Sequence, residues 1–354
     1  GSFWKNKDAQ DFIFHACNAA NLMGSTCFVF DRDDKSFVSA LSDEERDKPW
    51  LNRSAAIQTV TLNLPRLGYK SAGDEKKLFA LLDEFIKTAV KAHVQKKDFL
   101  EKLLSYAEEG PLAVLAMNHD GFPFLRMNMA RYVIGVVGLN ELVQICQGKE
   151  MHQSSAALEF GLKIVDYIKR ETERLSRELK MKFILGQSLA ETTAYRFARL
   201  DLKYFSPAAG RYVKGDIAEG AIYYTNSTHL NIAADVIPLQ RAVQEGRFHQ
   251  YLEGEVFTHI QLGGSSQDGN KLSRFICNVY DHSVNRQIDF NPEFTFCPAC
   301  QKTARGLNKE CPHCGSADVE GIARLTKYFS KISSWNKGKL AELKYRKINE
   351  SFDK

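Results

Sequence analysis

Two Cys-x-x-Cys pairs ten residues apart, Cys297-Pro-Ala-Cys300 and Cys311-Pro-His-Cys314, constrain this chain more than any other stretch. Each pair bends the backbone so that two thiols face one point, and two such knuckles close a tetrahedron of sulfur. That is the ligand set of a structural zinc ribbon. Pro298 and Pro312 stiffen the knuckles, and Gly315 supplies the freedom a tight turn needs. A pair of buried or redox-active thiols is the plainer alternative, but the doubled spacing favours zinc. Because sulfur fills all four positions, no site is left for a catalytic water. The metal is a staple.

The rest of the composition sets limits. A chain of 354 residues allows one large domain or two ordinary ones. At 44% hydrophobic and 26% charged it reads as globular, and a net charge of +5 is too small to imply nucleic acid by itself. From residue 321 to 354 there are nine Lys/Arg against three Asp/Glu, which suits a phosphate-facing surface or, more plainly, a solvated helix face. Cys17, Cys27, Cys146 and Cys277 show no paired spacing, and no signal peptide is evident, so a reducing cytoplasm is expected. No apolar run approaches membrane-spanning length. The opening Gly-Ser reads as a cloning scar on a piece of something longer.

Periodicity predicts helices over 8–23, from Gly73-Asp74 onward, over 154–180, 236–245 and 272–282. It predicts strands over 56–65, 132–138, 183–185 and 256–262, with a short extended piece at 287–290. Alternating helices and short apolar strands argue for a parallel α/β sheet or barrel. Several residues stand out. Cys27 ends a short loop, where an exposed reactive thiol and a buried inert one are both open. Asn63 lies near the end of its strand, where α/β folds place ligand contacts. Residues 188–193 read as a polar loop. Thr225, Asn226, Ser227 and Thr228 can cradle phosphate, and an ordinary capping turn explains them equally well.

Together these stretches resemble anaerobic (class III) ribonucleotide reductase, a glycyl-radical enzyme family. The resemblance is carried by Thr59-Val-Thr-Leu-Asn-Leu-Pro-Arg-Leu-Gly-Tyr69, Ile134-Gly-Val-Val-Gly-Leu-Asn-Glu141, Ala190-Glu-Thr-Thr-Ala-Tyr-Arg-Phe-Ala198 and Tyr223-Tyr-Thr-Asn-Ser-Thr228. It continues through Pro292-Glu-Phe-Thr-Phe-Cys297, both knuckles and Arg324-Leu-Thr-Lys-Tyr-Phe-Ser-Lys-Ile-Ser-Ser-Trp-Asn336. The resemblance implies the second half of a ten-stranded α/β barrel over 1–290, a zinc ribbon over 291–320, and a radical-loop region and tail over 321–354.

The implied chemistry turns a ribonucleotide into a deoxyribonucleotide. Cys27 takes the place of the finger-loop cysteine, which a glycyl radical converts to a thiyl. The thiyl abstracts the 3′ hydrogen, water leaves from C2′, and formate or a thiol system reduces. Asn63 resembles the substrate-contacting asparagine. Ser188, Glu191, Thr192 and Thr193 resemble the phosphate loop, with Asn226 and Ser227 beside them. The family also implies a radical S-adenosylmethionine activase with an iron–sulfur cluster, and a homodimer or complementing chain. Two departures matter. Family members are nearly twice this length, and Lys327 stands where the radical glycine is expected. Glycine stabilises a backbone radical because no side chain obstructs its planarity. A radical-silent protein is therefore expected, either a catalytic portion or a non-catalytic nucleotide- or partner-binding relative. A zinc-ribbon protein gripping single-stranded nucleic acid through its aromatic, basic tail is a third possibility.

Overall fold

The computed structural model describes residues 6–30, 55–118, 121–188, 191–349 and 352. The elements in order are α1 (Lys7–Met23), β1 (Cys27–Val29), β2 (Ala56–Asn63), α2 (Leu64–Ser71), α3 (Glu75–Leu104), the single turn α4 (Ala113–Ala116), β3 (Arg131–Val137) and α5 (Leu139–Gln147). They continue with α6 (Ser155–Leu179), β4 (Lys182–Gln187), α7 (Glu191–Phe205), β5 (Lys214–Asp216), β6 (Ala221–Tyr223), α8 (Pro238–His249), β7 (Thr258–Gly263) and α9 (Gly269–His282). Last come β8 (Gln287–Phe296), β9 (Thr303–Arg305), β10 (Glu320–Arg324), β11 (Phe329–Lys331) and α10 (Lys337–Tyr345).

Among the described residues there are two parallel ladders, β2–β3–β4 and β7–β8. The two ladders meet at residues 253–255, where the N–H groups of Glu253 and Gly254 donate to Leu185 O at 2.9 and 3.0 Å, and Gln187 N–H donates to Glu255 O at 3.0 Å. The sheet curls into half a barrel. β3 is buried along nearly its whole length, since α3, α5 and α6 cover the sheet, and its sequence is correspondingly apolar throughout. The strand predicted over 56–65 stops at Asn63, because Pro65 falls in the first turn of α2, where a missing N–H costs nothing. Asp74 caps α3 as the sequence suggests, accepting from Lys77 N. His93 is a packing residue. It is fully buried, with Nε2 3.1 Å from Val133 O.

The sheet is not parallel throughout. β1, β9 and β10 pair antiparallel with β8, and β11 pairs antiparallel with β10; for β8–β9 and β10–β11 the short connections permit only that sense. β8 also runs through Phe296 rather than ending near 290. Asp289, Asn291 and Glu293 interrupt its apolar pattern, yet all three are buried.

The tail folds inward. α10 packs on β6 and α7, and Gly338 permits the approach: a Cβ there would lie 2.4 Å from Ile222 O and 2.7 Å from the Tyr195 ring. The tail's cations are not uniformly solvated, contrary to the sequence expectation. Arg324, Lys339 and Arg346 are buried, and the last two pair with Glu342 at 2.7 and 3.4 Å. Trp335 is buried and donates through Nε1 to Ser330 Oγ at 2.8 Å. These are not groups free to grip a nucleic acid strand. No helix among the described residues is long and apolar enough to cross a membrane.

Candidate functional site

The ribbon is built from two copies of one turn. Cys297 N–H donates to Lys302 O while Gln301 N–H donates to Cys297 O; Cys311 N–H donates to Ser316 O while Gly315 N–H donates to Cys311 O. Gln301 and Gly315 take the same left-handed role, at φ of 56° and 75°. The four sulfurs lie within 4.8 Å of one another, with Cys297–Cys314 and Cys300–Cys311 at 3.6 Å. Four thiolates about 2.3 Å from a central ion would stand about 3.8 Å apart, so the set fits one tetrahedral metal ion. A disulfide would need about 2.05 Å.

Cys27 is placed by the end of α1. Gly24 closes that helix at φ 65°, and a Cβ there would lie 2.6 Å from Pro292 Cδ and 2.7 Å from the Phe329 ring. The chain turns between β8 and β11 with nothing to spare, and three residues later Cys27 sits opposite Asp289 across the β1–β8 ladder. Asp289 in turn sits opposite His259 across β7–β8. Cys27, Asp289 and His259 therefore lie in a row over three strands. Cys27 is open to solvent on one side. The strand bed desolvates its sulfur, and with the Asp289 carboxylate this pushes the thiol up to about 11, while Arg324 and Lys327 pull the other way.

Those two cations belong to the hairpin between β10 and β11. Leu325 N–H donates to Tyr328 O at 2.9 Å, Arg324 Nη1 donates to Lys327 O at 3.3 Å, and Arg324 Nη2 donates to Gly24 O. The loop is thus tied to the end of α1. Lys327 Nζ lies 3.6 Å from Glu255 Oε1 and 5.1 Å from the centre of the Phe257 ring.

The residues proposed to hold phosphate fall into two groups. Ser188, buried at the end of β4, has its Oγ 3.0 Å from Thr61 Oγ1. Glu191, Thr192 and Thr193, read from the sequence as part of a polar loop, form the first turn of α7. Residues 189 and 190 lie outside the described chain. Thr326 Oγ1 donates to Glu191 Oε1, which joins this helix start to the hairpin loop. On the other side, Asn226 bridges to Val137, and Ser227 is fully buried at φ 45°. Asn226 Oδ1 and Ser227 Oγ have no hydrogen-bond partner. Asn63 is committed elsewhere. Its Nδ2 donates to Asp201 Oδ2 at 2.9 Å, and Arg66 Nε donates to Asp201 Oδ1 at 2.7 Å.

A cleft opens beneath the hairpin loop, with His229, His259, Gln261, Asn291, Lys339 and Thr326 as polar groups in a mainly apolar lining. Burial by itself would raise Glu245, but His229 at 3.1 Å and Arg241 at 3.0 Å hold its carboxyl down to about 2. Burial drives His259 well below the usual imidazole range, so it is neutral at neutral pH.

The residues that sequence reading missed are Asp289, His259, Asp201 and Glu141. Glu141 is wholly buried, accepts from Thr225 N and Oγ1 at 3.1 and 2.6 Å, and has its carboxyl pushed up by burial. Their shared signal was a lone charge inside an apolar run. Without an alignment such a charge is indistinguishable from a surface residue.

A family model for anaerobic ribonucleoside-triphosphate reductase matches residues 2–348. The chain belongs to that family. It is 24% identical to the anaerobic ribonucleoside-triphosphate reductase of Escherichia coli (strain K12) over 328 residues, covering 88% of this chain and 45% of that protein. The enzyme of that name from enterobacteria phage T4 is 24% identical over 356 residues, covering 94% of this chain and 55% of that one. Among solved structures, one anaerobic ribonucleotide reductase superposes with a TM-score of 0.76 at 20% identity, covering 97% of this chain and 53% of that one. The Thermotoga maritima enzyme in complex with dATP and CTP gives 0.70 at 19%, with 95% and 53% coverage. The chain spans about half the length of the relatives it matches.

Proposed function

We propose that this chain is the cysteine-bearing half-barrel of a ribonucleoside-triphosphate reductase, with Cys27 as hydrogen-atom carrier and with no radical at residue 327. One observation carries the reading: β1, which begins at Cys27, and β10, which leads into the loop of Lys327, both pair with β8, and Arg324 Nη2 donates to Gly24 O, so residues 300 apart in sequence are brought to one region. That proximity is what a radical relay from loop to thiol requires. Lysine in place of glycine removes the planar backbone carbon such a radical needs, and the ammonium held by Glu255 and Phe257 fills space beside the loop. Zinc is the metal we assign to Cys297, Cys300, Cys311 and Cys314, with the role of holding the β10–β11 hairpin in place.

Ser188, Glu191, Thr192 and Thr193 on one side and Asn226 and Ser227 on the other are the proposed nucleotide contacts. They are supported by the helix start at Glu191, where N–H groups can donate to anionic oxygen, and by the unpaired polar atoms of residues 226 and 227. Asn63 would have to leave Asp201 to reach a sugar hydroxyl. The substrate is a ribonucleotide, the partner that installs a radical is an S-adenosylmethionine activase with an iron–sulfur cluster, and the compartment is the cytoplasm. Electron paramagnetic resonance after anaerobic treatment with such an activase tests the central claim. The expected spectrum has no glycyl doublet, and a doublet arising from this chain would overturn the assignment of Lys327.

A second reading, a partner-completed module without catalysis of its own, is favoured by the free edge. β2 ends the parallel sheet among the described residues, and Phe12, Met23 and Val29 are 70%, 61% and 70% exposed. Light scattering separates the cases. A stable monomer at micromolar concentration rejects a required partner, and a dimer or a complex with a barrel-completing chain supports one.

A further inference from the structure

We propose that His229 is a specificity-determining residue for a ribose: from the wall of the cleft beneath the hairpin loop, its Nε2 reads a hydroxyl of the sugar's 2′,3′-diol. That role presupposes that the chain binds a ribonucleotide. Its own support is how the ring is held and which of its atoms is left open.

His229 Nδ1 lies 3.1 Å from Glu245 Oε2. That carboxylate is buried and held ionised, so it can only accept, and the hydrogen between the two belongs to Nδ1. Glu245 is fixed in turn, with Oε1 accepting from Leu230 N–H at 3.1 Å and from Arg241 Nη1 at 3.0 Å. The imidazole is packed as well, its centroid 5.1 Å from that of Phe257 and 6.1 Å from that of His259. Tautomer and orientation are therefore both set by neighbouring side chains. Nε2 is the nitrogen left over. It is buried, belongs to a residue that lines the cleft, and has no hydrogen-bond partner. Such an atom costs stability, and a ligand that pairs with it recovers the loss. A neutral ring needs a donor there, and a charged ring needs an acceptor. A hydroxyl is both, whereas a C–H is neither.

The surroundings suit a sugar better than a phosphate. His229 N–H donates to Asn226 O at 3.2 Å, so the ring shares a turn with Asn226 and Ser227. Asn226 Oδ1, Gln261 Oε1 and Asn291 Oδ1 are further unpartnered atoms on the same lining. Each is an acceptor that an alcohol satisfies and a fully ionised phosphate does not. The cations of the cleft are already committed, Arg241 to Glu245 at 3.0 Å, and Lys339 and Arg346 to Glu342 at 2.7 and 3.4 Å. The anionic end of the nucleotide is left to the start of α7, which Glu191 joins to Thr326 on the cleft wall.

The test is calorimetric binding to the full chain, with each common ribonucleoside triphosphate compared with its 2′,3′-dideoxy counterpart. In the unaltered chain at least one ribonucleotide should bind about tenfold more tightly than its counterpart. His229→Phe keeps a flat ring beside Phe257 and removes both nitrogens. It should lower that ratio about fivefold or more by weakening the ribonucleotide, while the dideoxy form binds as before. A merely structural histidine would weaken both forms alike. Equal binding of the two forms by the unaltered chain, or a ratio that survives His229→Phe, rejects His229 as the reader and leaves the nucleotide reading standing. Binding of neither form overturns the nucleotide reading, and this role with it. A second measurement needs no variant. Long-range proton–nitrogen NMR of the ligand-free chain should place a proton on His229 Nδ1, and a ring protonated on Nε2 alone overturns the role, because Glu245 would then not set the tautomer.

Discussion

Removing the metal from the ribbon, by chelation or by Cys311→Ser, should convert residues 297–319 from a protease-resistant element to an open chain while leaving the half-barrel folded. The reason is the near absence of a core in that segment. Among residues 297–319 only Cys297, Gly306 and Cys311 are buried, so apolar burial contributes almost nothing and the proposed metal on the four sulfurs would have to supply the folding energy. Structural zinc contributes on the order of 10 kcal/mol in isolated ribbons, far more than a segment of this size gains from its turns. Trypsin has targets at Lys302, Arg305 and Lys309, and cleavage there should accelerate at least about 100-fold, equivalent to roughly 3 kcal/mol of lost protection. The main apolar cluster around β2, β3, β4, α3 and α6 contains no ribbon residue, so the chief unfolding transition should persist. The β10–β11 hairpin should loosen only in part, because β10 stays held by β8 and by the contact of Arg324 with Gly24. Cleavage at an unchanged rate after verified metal loss would falsify the view that the metal holds this part of the fold.

That the ribbon could be read from sequence and Asp289 could not has one physical cause. Metal ligation imposes a local spacing, and a twofold Cys-x-x-Cys is visible within eighteen residues. Helical amphipathicity is also local, which is why α1, α3 and α6 lie where periodicity puts them. The candidate site is assembled across long separations. Cys27 meets Asp289 and Lys327 only because β1 and β10 both add to β8. β8 itself was underread, since the polar side chains that turn toward the site interrupt the apolar run used to recognise a strand. The buried polar side chains of β8 are the ones that hid its length. The start of α7 was misplaced for a related reason: Glu191, Thr192 and Thr193 are residues that cap and begin helices as readily as they line loops. Family resemblance singled out Cys27 and residue 327, whose assignment rests on motif order. It gave no hint of the buried partners, which belong to how these strands pack.

The largest effect expected of a single substitution within the half-barrel is at Asp201. Its carboxylate is fully buried and serves three donors: Asn63 Nδ2 at 2.9 Å, Arg66 through Nε at 2.7 Å, and the Tyr224 hydroxyl at 3.1 Å, which lies 3.1 Å from the Tyr69 hydroxyl. These partners come from the end of β2, from α2 and from the segment after β6, so one side chain in α7 ties together the elements that carry Asn63, Glu191 and Asn226. Asp201→Ala strands a buried amide and a buried phenol and removes the counter-charge of a guanidinium only 26% exposed. Such losses cost about 3 kcal/mol or more, with the partial exposure of Arg66 limiting the total. Asp201→Asn should cost less, about 1–2 kcal/mol. Its carbonyl can still accept from Arg66, and the Tyr224 hydroxyl can rotate to accept from the new amide, but Asn63 then faces a donor. Adding Arg66→Leu to Asp201→Ala should recover part of the loss, because the unpaired charge goes with it. Urea unfolding at constant m-value measures all three. The ordering should be Ala worst, Asn intermediate, and the double variant better than Ala alone. If Asp201→Ala lay within about 0.5 kcal/mol of the unaltered chain, the cluster would be ornament rather than the clamp that sets the site's geometry.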